Sequence, residues 1–169
     1  MGQSGEFRTF TVESYIRKLI VDRFLGNIDA KADAKGRIFV PASFRKILQK
    51  TKEERLILRK DIFQDCLVLY PENVWNEELT LLRSRLNKWD EEQQQLFRQF
   101  VLETEILEMD ANGRILIPKR YMQAAGISSE VRFVGMDHTI EIWARNKLEK
   151  PLMDAEAFKK GIQKWMANE

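Results

Sequence analysis

A single cysteine and a single histidine serve a chain of 169 residues, and their scarcity removes several classes of function at the outset. One cysteine cannot form an intramolecular disulfide, so a disulfide scaffold is excluded and a reducing compartment is expected. Cys66 lies in the apolar run Cys66-Leu67-Val68-Leu69-Tyr70, where it reads as a small buried hydrophobe rather than a reactive thiol. His138 follows Asp137 between two β-prone runs, a solvated turn position more than that of a general base. Without further histidines or cysteines there is no cluster of soft metal ligands, and no glycine-rich loop follows a strand to cradle phosphate. Neither an enzyme nor a cofactor or metal is expected. Apolar runs long enough to cross a membrane are also missing, and Glu13, Arg17 and Lys18 interrupt the N-terminal stretch where a signal peptide would need continuity.

Net charge is nearly absent as well, at +2 from 28 basic and 26 acidic residues, yet the two signs are segregated along the chain. From Phe24 to Lys60 the bases Lys31, Lys35, Arg37, Arg45, Lys46, Lys50, Lys52, Arg55, Arg59 and Lys60 face only Asp29, Asp33, Glu53 and Glu54. Acids dominate from Glu72 to Glu108. Such a chain can turn one face toward a polyanion and another away from it, although ordinary solvated faces produce charge runs too.

What the sequence does contain is a repeat. Asp33-Ala-Lys-Gly36-Arg37-Ile-Phe-Val-Pro41 returns as Asp110-Ala-Asn-Gly113-Arg114-Ile-Leu-Ile-Pro118, with Asp, Gly, Arg and Pro all displaced by 77 residues. An Asp that opens a type I turn accepts hydrogen bonds from N–H groups just downstream, and a Gly three residues later can take the left-handed conformation that closes it. Asp33 and Gly36, and Asp110 and Gly113, are therefore the turn-forming residues of two hairpin turns. The runs Ile38-Phe39-Val40 and Ile115-Leu116-Ile117 follow as return strands, and each ends at a proline suited to a helix start.

On these residues the chain resembles the MraZ family, transcriptional regulators associated with the bacterial division and cell wall gene cluster, whose paired Asp-x-x-Gly-Arg turns belong to the AbrB-like swapped-hairpin β-barrels. The resemblance spans roughly residues 24 to 150. It implies an α+β fold in which two pseudo-symmetric repeats form one β-barrel core with peripheral helices. It also implies sequence-specific binding of double-stranded DNA at promoter direct repeats, with Arg37 and Arg114 as DNA-binding residues and Lys35 as a helper. The partner would be a second copy as well, in a ring-like homo-oligomer larger than a dimer, and the location cytoplasmic and nucleoid-associated. Asn112 stands where Lys35 stands in the first turn, so the two turns need not contribute equally, and the more basic surroundings favour Arg37. Against this, each Arg could simply be the surface ion-pair partner of the Asp four residues before it, an interaction worth at most about 1 kcal/mol. A protein-interaction module or antitoxin-like regulator on the same scaffold is the alternative of a different class.

The rest of the chain divides accordingly. Residues 1–23 are an N-terminal extension, either a non-native start or a short helix carrying Val12, Tyr15, Ile16, Leu19, Ile20 and Phe24 at helical spacing. The first repeat takes 24–75 and adds a hairpin between Leu56-Ile57-Leu58 and Cys66 to Tyr70. A connector, 76–104, continues the apolar stripes of two helices through Trp75, Leu79, Leu82, Leu86, Trp89, Leu96 and Phe100. The second repeat, 105–150, ends in Val131 to Val134 and Thr139 to Trp143. There the offset falls to 73, Leu69 to Ile142, so four residues are lost between its first helix and closing strand. A terminal helix, 151–169, starts at the cap Asp154 and carries Phe158, Ile162, Trp165 and Met166.

Overall fold

The computed structural model describes residues 23–167, so the expected helix through Val12 and Ile20 lies outside the described residues. Eight strands follow: β1 Asn27–Lys31, β2 Arg37–Phe39, β3 Arg55–Lys60, β4 Leu67–Pro71, β5 Thr104–Glu108, β6 Arg114–Leu116, β7 Glu130–Met136 and β8 Thr139–Ala144. The helices are α1 Ala42–Lys50, α2 Glu72–Arg85, α3 Glu91–Leu102, α4 Lys119–Ala124 and α5 Ala155–Met166, with a 3-10 turn at Arg145–Leu148. Pro41, Pro71 and Pro118 each stand at the N-cap, which for Pro41 and Pro118 is one residue before the first helical position expected of them, because their extended ψ turns the chain from strand into helix. Asp154 caps α5 as expected, its carboxylate accepting from the Ala157 N–H at 2.8 Å.

The two halves exchange strands. Each Asp–Arg turn closes with two backbone bonds, Asp33 N–H to Arg37 O and Gly36 N–H to Asp33 O, both at 3.0 Å, and Asp110 N–H to Arg114 O at 2.8 Å and Gly113 N–H to Asp110 O at 3.0 Å, and its flanking strands then part. β1 pairs with β7 and β5 with β3, while β2 pairs with β6. The result is an open six-stranded antiparallel sheet, β1-β7-β8-β4-β3-β5, and a separate two-stranded ladder. The closed barrel implied by the resemblance is therefore not formed among the described residues. After each turn the chain leaves the sheet edge and crosses the core, so β2 and β6 meet each other instead of joining β1 and β5.

Pairing registers confirm the repeat and locate its missing residues. In the ladder, Arg37 opposes Leu116, Ile38 opposes Ile115 and Phe39 opposes Arg114, a pattern unchanged when each residue is exchanged for the one 77 away. Ile28 opposes Phe133 just as Glu105 opposes Leu58, which sets β3 against β7 at an offset of 75. Leu58 opposes Leu69 just as Phe133 opposes Ile142, which sets β4 against β8 at 73. The four-residue loss thus occurs in two equal steps. One lies between ladder and hairpin, where α1 has 9 residues and α4 only 6, and the other lies in the hairpin loop.

Strand alternation gives the sheet two buried faces over part of its width. On one side Leu56, Leu58, Leu67, Leu69, Phe133, Ile140 and Ile142 pack with Ile38, Val40, Ile115 and Ile117 from the ladder segments and Phe44 and Leu48 from α1. On the other side Ile57, Val68 and Tyr70 pack with Trp75, and with Leu79 and Phe100 of α2 and α3. Trp75 stacks on Phe100 at a ring separation of 5.3 Å, and the buried Arg59 guanidinium lies 3.9 Å from the Phe100 ring centre. The ladder and the helical connector therefore cover opposite faces of one sheet. Cys66 is fully buried, and burial pushes its thiol up to about 12, so it is a core residue as expected.

Gly36 and Gly113 take φ of 90° and 82°, the left-handed region expected of turn closure. A Cβ on Gly36 would lie 2.5 Å from the Ile117 carbonyl oxygen, which is backbone, whereas on Gly113 it would meet the movable Arg45 side chain. Valine at either site should lose about 1 kcal/mol or more through the left-handed penalty. Gly36→Val should lose clearly more than Gly113→Val in denaturant unfolding, and equal losses would contradict the clash.

Candidate nucleic-acid interface

Each turn is built around one carboxylate. Asp33 Oδ1 accepts the N–H groups of Lys35 and Arg37 at 3.0 and 2.9 Å, and its Oδ2 accepts Arg37 Nε at 2.7 Å. Asp110 repeats the set with the N–H groups of Asn112 and Arg114, both at 2.9 Å, and Arg114 Nε at 2.8 Å. Both carboxyls are held below the usual range, above all by the N–H four residues on, with the guanidinium adding to it and desolvation opposing it. The turns are also tied to each other. Gly36 O accepts the Ile117 N–H at 2.9 Å, and Gly113 O accepts the Val40 N–H at 3.0 Å. Each repeat's glycine carbonyl thus anchors the end of the other repeat's strand.

The ion pair considered from the sequence does form, but it uses only Nε. Neither terminal nitrogen of Arg37 or Arg114 has a hydrogen-bond partner among the described residues. That geometry orients the guanidinium while leaving its outer nitrogens for a phosphate or a guanine edge. Both arginines belong to the ladder, whose alternation sends Ile38 and Ile115 into the core and keeps Arg37, Phe39, Arg114 and Leu116 on the solvent side.

A third guanidinium joins them from α1. Arg45 Nη1 donates to the Asn112 carbonyl at 3.4 Å, and the side chain lies against Gly113. The second turn therefore regains the positive charge that Asn112 lacks. Met122, the residue 77 positions beyond Arg45, is buried in the core, so the second repeat's helix sends no matching guanidinium from that position to the first turn. In the sequence Arg45 is only one of the bases between Phe24 and Lys60, and the strand exchange that sets α1 beside the opposite turn is what brings it there.

Residues 24–98 and 100–161 match the family described as "MraZ protein, putative antitoxin-like". The chain belongs to the MraZ family. A protein of Bacteroides fragilis named Transcriptional regulator MraZ is 62% identical over 147 residues, which is 87% of this chain and 93% of that protein. A protein of the same name from Bacteroides thetaiotaomicron is 59% identical over 147 residues, 87% of this chain and 94% of its own length. One from Beijerinckia indica is 30% identical over 148 residues, covering 88% and 90% respectively.

Within this MraZ-family chain, the residues singled out in sequence converge. Asp33, Gly36, Asp110 and Gly113 shape the turns, and Arg37, Arg114 and Lys35 are carried by them. His138 sits half-exposed in the two-residue β7–β8 turn, 3.5 Å from the Asp137 carboxylate, as a turn residue would. Among the described residues no cluster of three histidine, cysteine, aspartate or glutamate side chains could hold a metal, and no helix is long and apolar enough to cross a membrane.

The lowered Asp33 and Asp110 values fix the sign of an acid dependence. A carboxylate whose pKa is depressed by folding contributes stability that is complete above its unfolded value near about 4 and is lost as pH falls through the folded value. Stability should therefore decline below about pH 4, and Asp33→Asn with Asp110→Asn should flatten that decline while lowering stability at pH 7. A double variant with an unaltered acid limb would show that the two carboxylates do not contribute to it.

Proposed function

We propose that this protein is a transcriptional regulator that binds double-stranded DNA sequence-specifically, at promoter repeats of its own division and cell wall gene cluster, through the Asp33–Arg37 and Asp110–Arg114 turns. The observation that carries this is the sharing of one solvent-facing ladder by both turn arginines, with their outer nitrogens unengaged and Lys35 and Arg45 at the turns. The acidic connector, with Glu77, Glu78, Glu91 and Glu92, covers the opposite face of the sheet, so a polyanion meets attraction on one side and repulsion on the other. The names of the relatives support a regulatory role. The exchange of strands between repeats supports the swapped-hairpin plan of AbrB-like proteins, here with an open sheet.

Arg37→Ala and Arg114→Ala should each weaken binding to the DNA upstream of the protein's own gene without lowering the melting temperature by more than the loss of a surface ion pair. If the contacts are to phosphate, the salt slope should fall by about one unit per turn; if to guanine, discrimination should fall by roughly 1–3 kcal/mol with little change in slope. Arg45 at the second turn brings the two losses closer together than the sequence suggested. Unchanged affinity in both variants would leave the arginines as ion-pair partners of Asp33 and Asp110. A protein-interaction module would show neither the salt dependence nor a preferred sequence.

Self-association belongs to the same proposal. Trp75 is buried against Phe100, but Trp89 and Trp165 are 90% and 73% exposed, and α5 presents Phe158, Ile162 and Met166 to solvent as well. A homo-oligomer larger than a dimer would cover these surfaces and set many turns side by side on tandem boxes. Sedimentation at micromolar concentration should give such a species. A monomer would reject self-association and a dimer would reject the ring.

A further inference from the structure

The solvent face of the β2–β6 ladder carries two large apolar side chains that the ion pairs and turns do not explain. Phe39 and Leu116 are 55% and 53% exposed, nearly equal, and they occupy equivalent positions 77 residues apart. Both lie beside the arginines: Phe39 directly opposes Arg114, whose guanidinium carbon is 5.7 Å from the ring centre, and Leu116 directly opposes Arg37. Isolated exposed apolar residues are ordinary, but a symmetric pair interleaved with two oriented guanidinium groups is a chemically patterned surface.

We propose that the ladder is itself the reading element, a two-stranded β-ribbon that enters the DNA major groove, in which Phe39 and Leu116 are specificity-determining residues that contact thymine C5-methyl groups beside the guanines taken by Arg114 and Arg37. The inference rests on the DNA-binding reading above and names the chemistry of its site. Dimensions allow it: strands lie about 5 Å apart, and a major groove about 12 Å wide admits a two-stranded ribbon. Arg37 and Arg114 sit two residues apart along the ladder and one strand apart across it, roughly 8 Å between α-carbons, which spans two to three base steps. Charge complements the occupant, because Lys35 and Arg45 lie at the turns that end the ribbon, positioned for the flanking phosphates. The major groove is also the only one that displays a thymine methyl, which an exposed Phe or Leu can cover. The ribbon's pseudo-twofold axis passes between Ile38 and Ile115, so one copy would read a short quasi-palindromic step, with Arg–Leu and Phe–Arg pairs on either side.

The test compares the full chain with Phe39→Ala, Leu116→Ala and Arg37→Ala on the duplex upstream of its gene, made with thymine, with uracil in place of thymine, or with 7-deazaguanine in place of guanine. Uracil removes only the methyl, and 7-deazaguanine only the N7 acceptor. The wild-type protein should lose about fourfold in affinity per contacted methyl on the uracil duplex, the worth of one buried CH₂ group. Phe39→Ala and Leu116→Ala should bind the thymine duplex more weakly and be correspondingly less sensitive to uracil, yet remain as sensitive as wild type to 7-deazaguanine. Wild-type binding that is abolished by Arg37→Ala but indifferent to uracil would overturn the ribbon reading alone. A change of sedimentation coefficient in Phe39→Ala or Leu116→Ala would also overturn it, by marking the face as a contact between copies. Absence of wild-type binding to any of the duplexes would overturn the DNA-binding reading and this inference with it.

Discussion

Two reciprocal backbone bonds hold the turn-bearing end of this protein together. Gly36 O accepts from Ile117 N–H and Gly113 O from Val40 N–H, so neither turn is complete without the strand of the other repeat. The carbonyls are presented for this because each glycine takes a positive φ, and each glycine does so because the Asp carboxylate three residues earlier has already gathered the N–H groups of the turn. Isolated, a repeat would have only the short-range bonds of its turn and a three-residue strand, too little to offset the entropy of ordering it. Paired, the two turns bury Ile38 and Ile115 against the sheet, and the ladder becomes the lid of the core.

The same exchange sets the electrostatics. By crossing the core, the ladder and its turn residues Lys35, Arg37 and Arg114 come to lie on the face of the sheet opposite the acidic α2–α3 connector, while Arg55 and Arg59 of the basic stretch stay beside the connector, against Glu72 and Phe100. It also brings α1 of the first repeat beside the turn of the second, which puts Arg45 on Asn112 and Gly113. An asymmetry written into the turns is thus partly compensated by one in the helices, where α1 keeps a surface Arg and α4 has the buried Met122 in its place. The ion pairs Arg37–Asp33 and Arg114–Asp110 fit within this scheme as orienting contacts. They are exposed and add little stability, but by engaging Nε they limit the directions in which the remaining nitrogens can point.

Much of this was legible in the sequence because the decisive signals are local. The Asp-x-x-Gly-Arg spacing specifies a turn whose hydrogen bonds lie within five residues, and the structure reproduces it twice with donors, acceptors and glycine conformation as expected. Helix starts at prolines, the Asp154 cap, the buried Cys66 and the apolar stripe through Trp75, Leu79 and Phe100 depend on neighbours along the chain or on period alone, whereas Leu86 and Trp89, expected on the same stripe, fall beyond the end of α2 at Arg85.

What the sequence could not determine is which strand each strand joins. β2 reads as the return arm of its own hairpin, since a turn followed by a β-prone run says nothing of a partner 77 residues away, and only packing decides that it pairs with β6. The open sheet in place of a closed barrel and the arrival of Arg45 at the opposite turn go with that one pairing. The sequence by itself determined the turns and the residues they carry, because turn chemistry is short-range. Tertiary structure alone decided that the two turns share a face, because that depends on long-range burial of Ile38 and Ile115 in a common core.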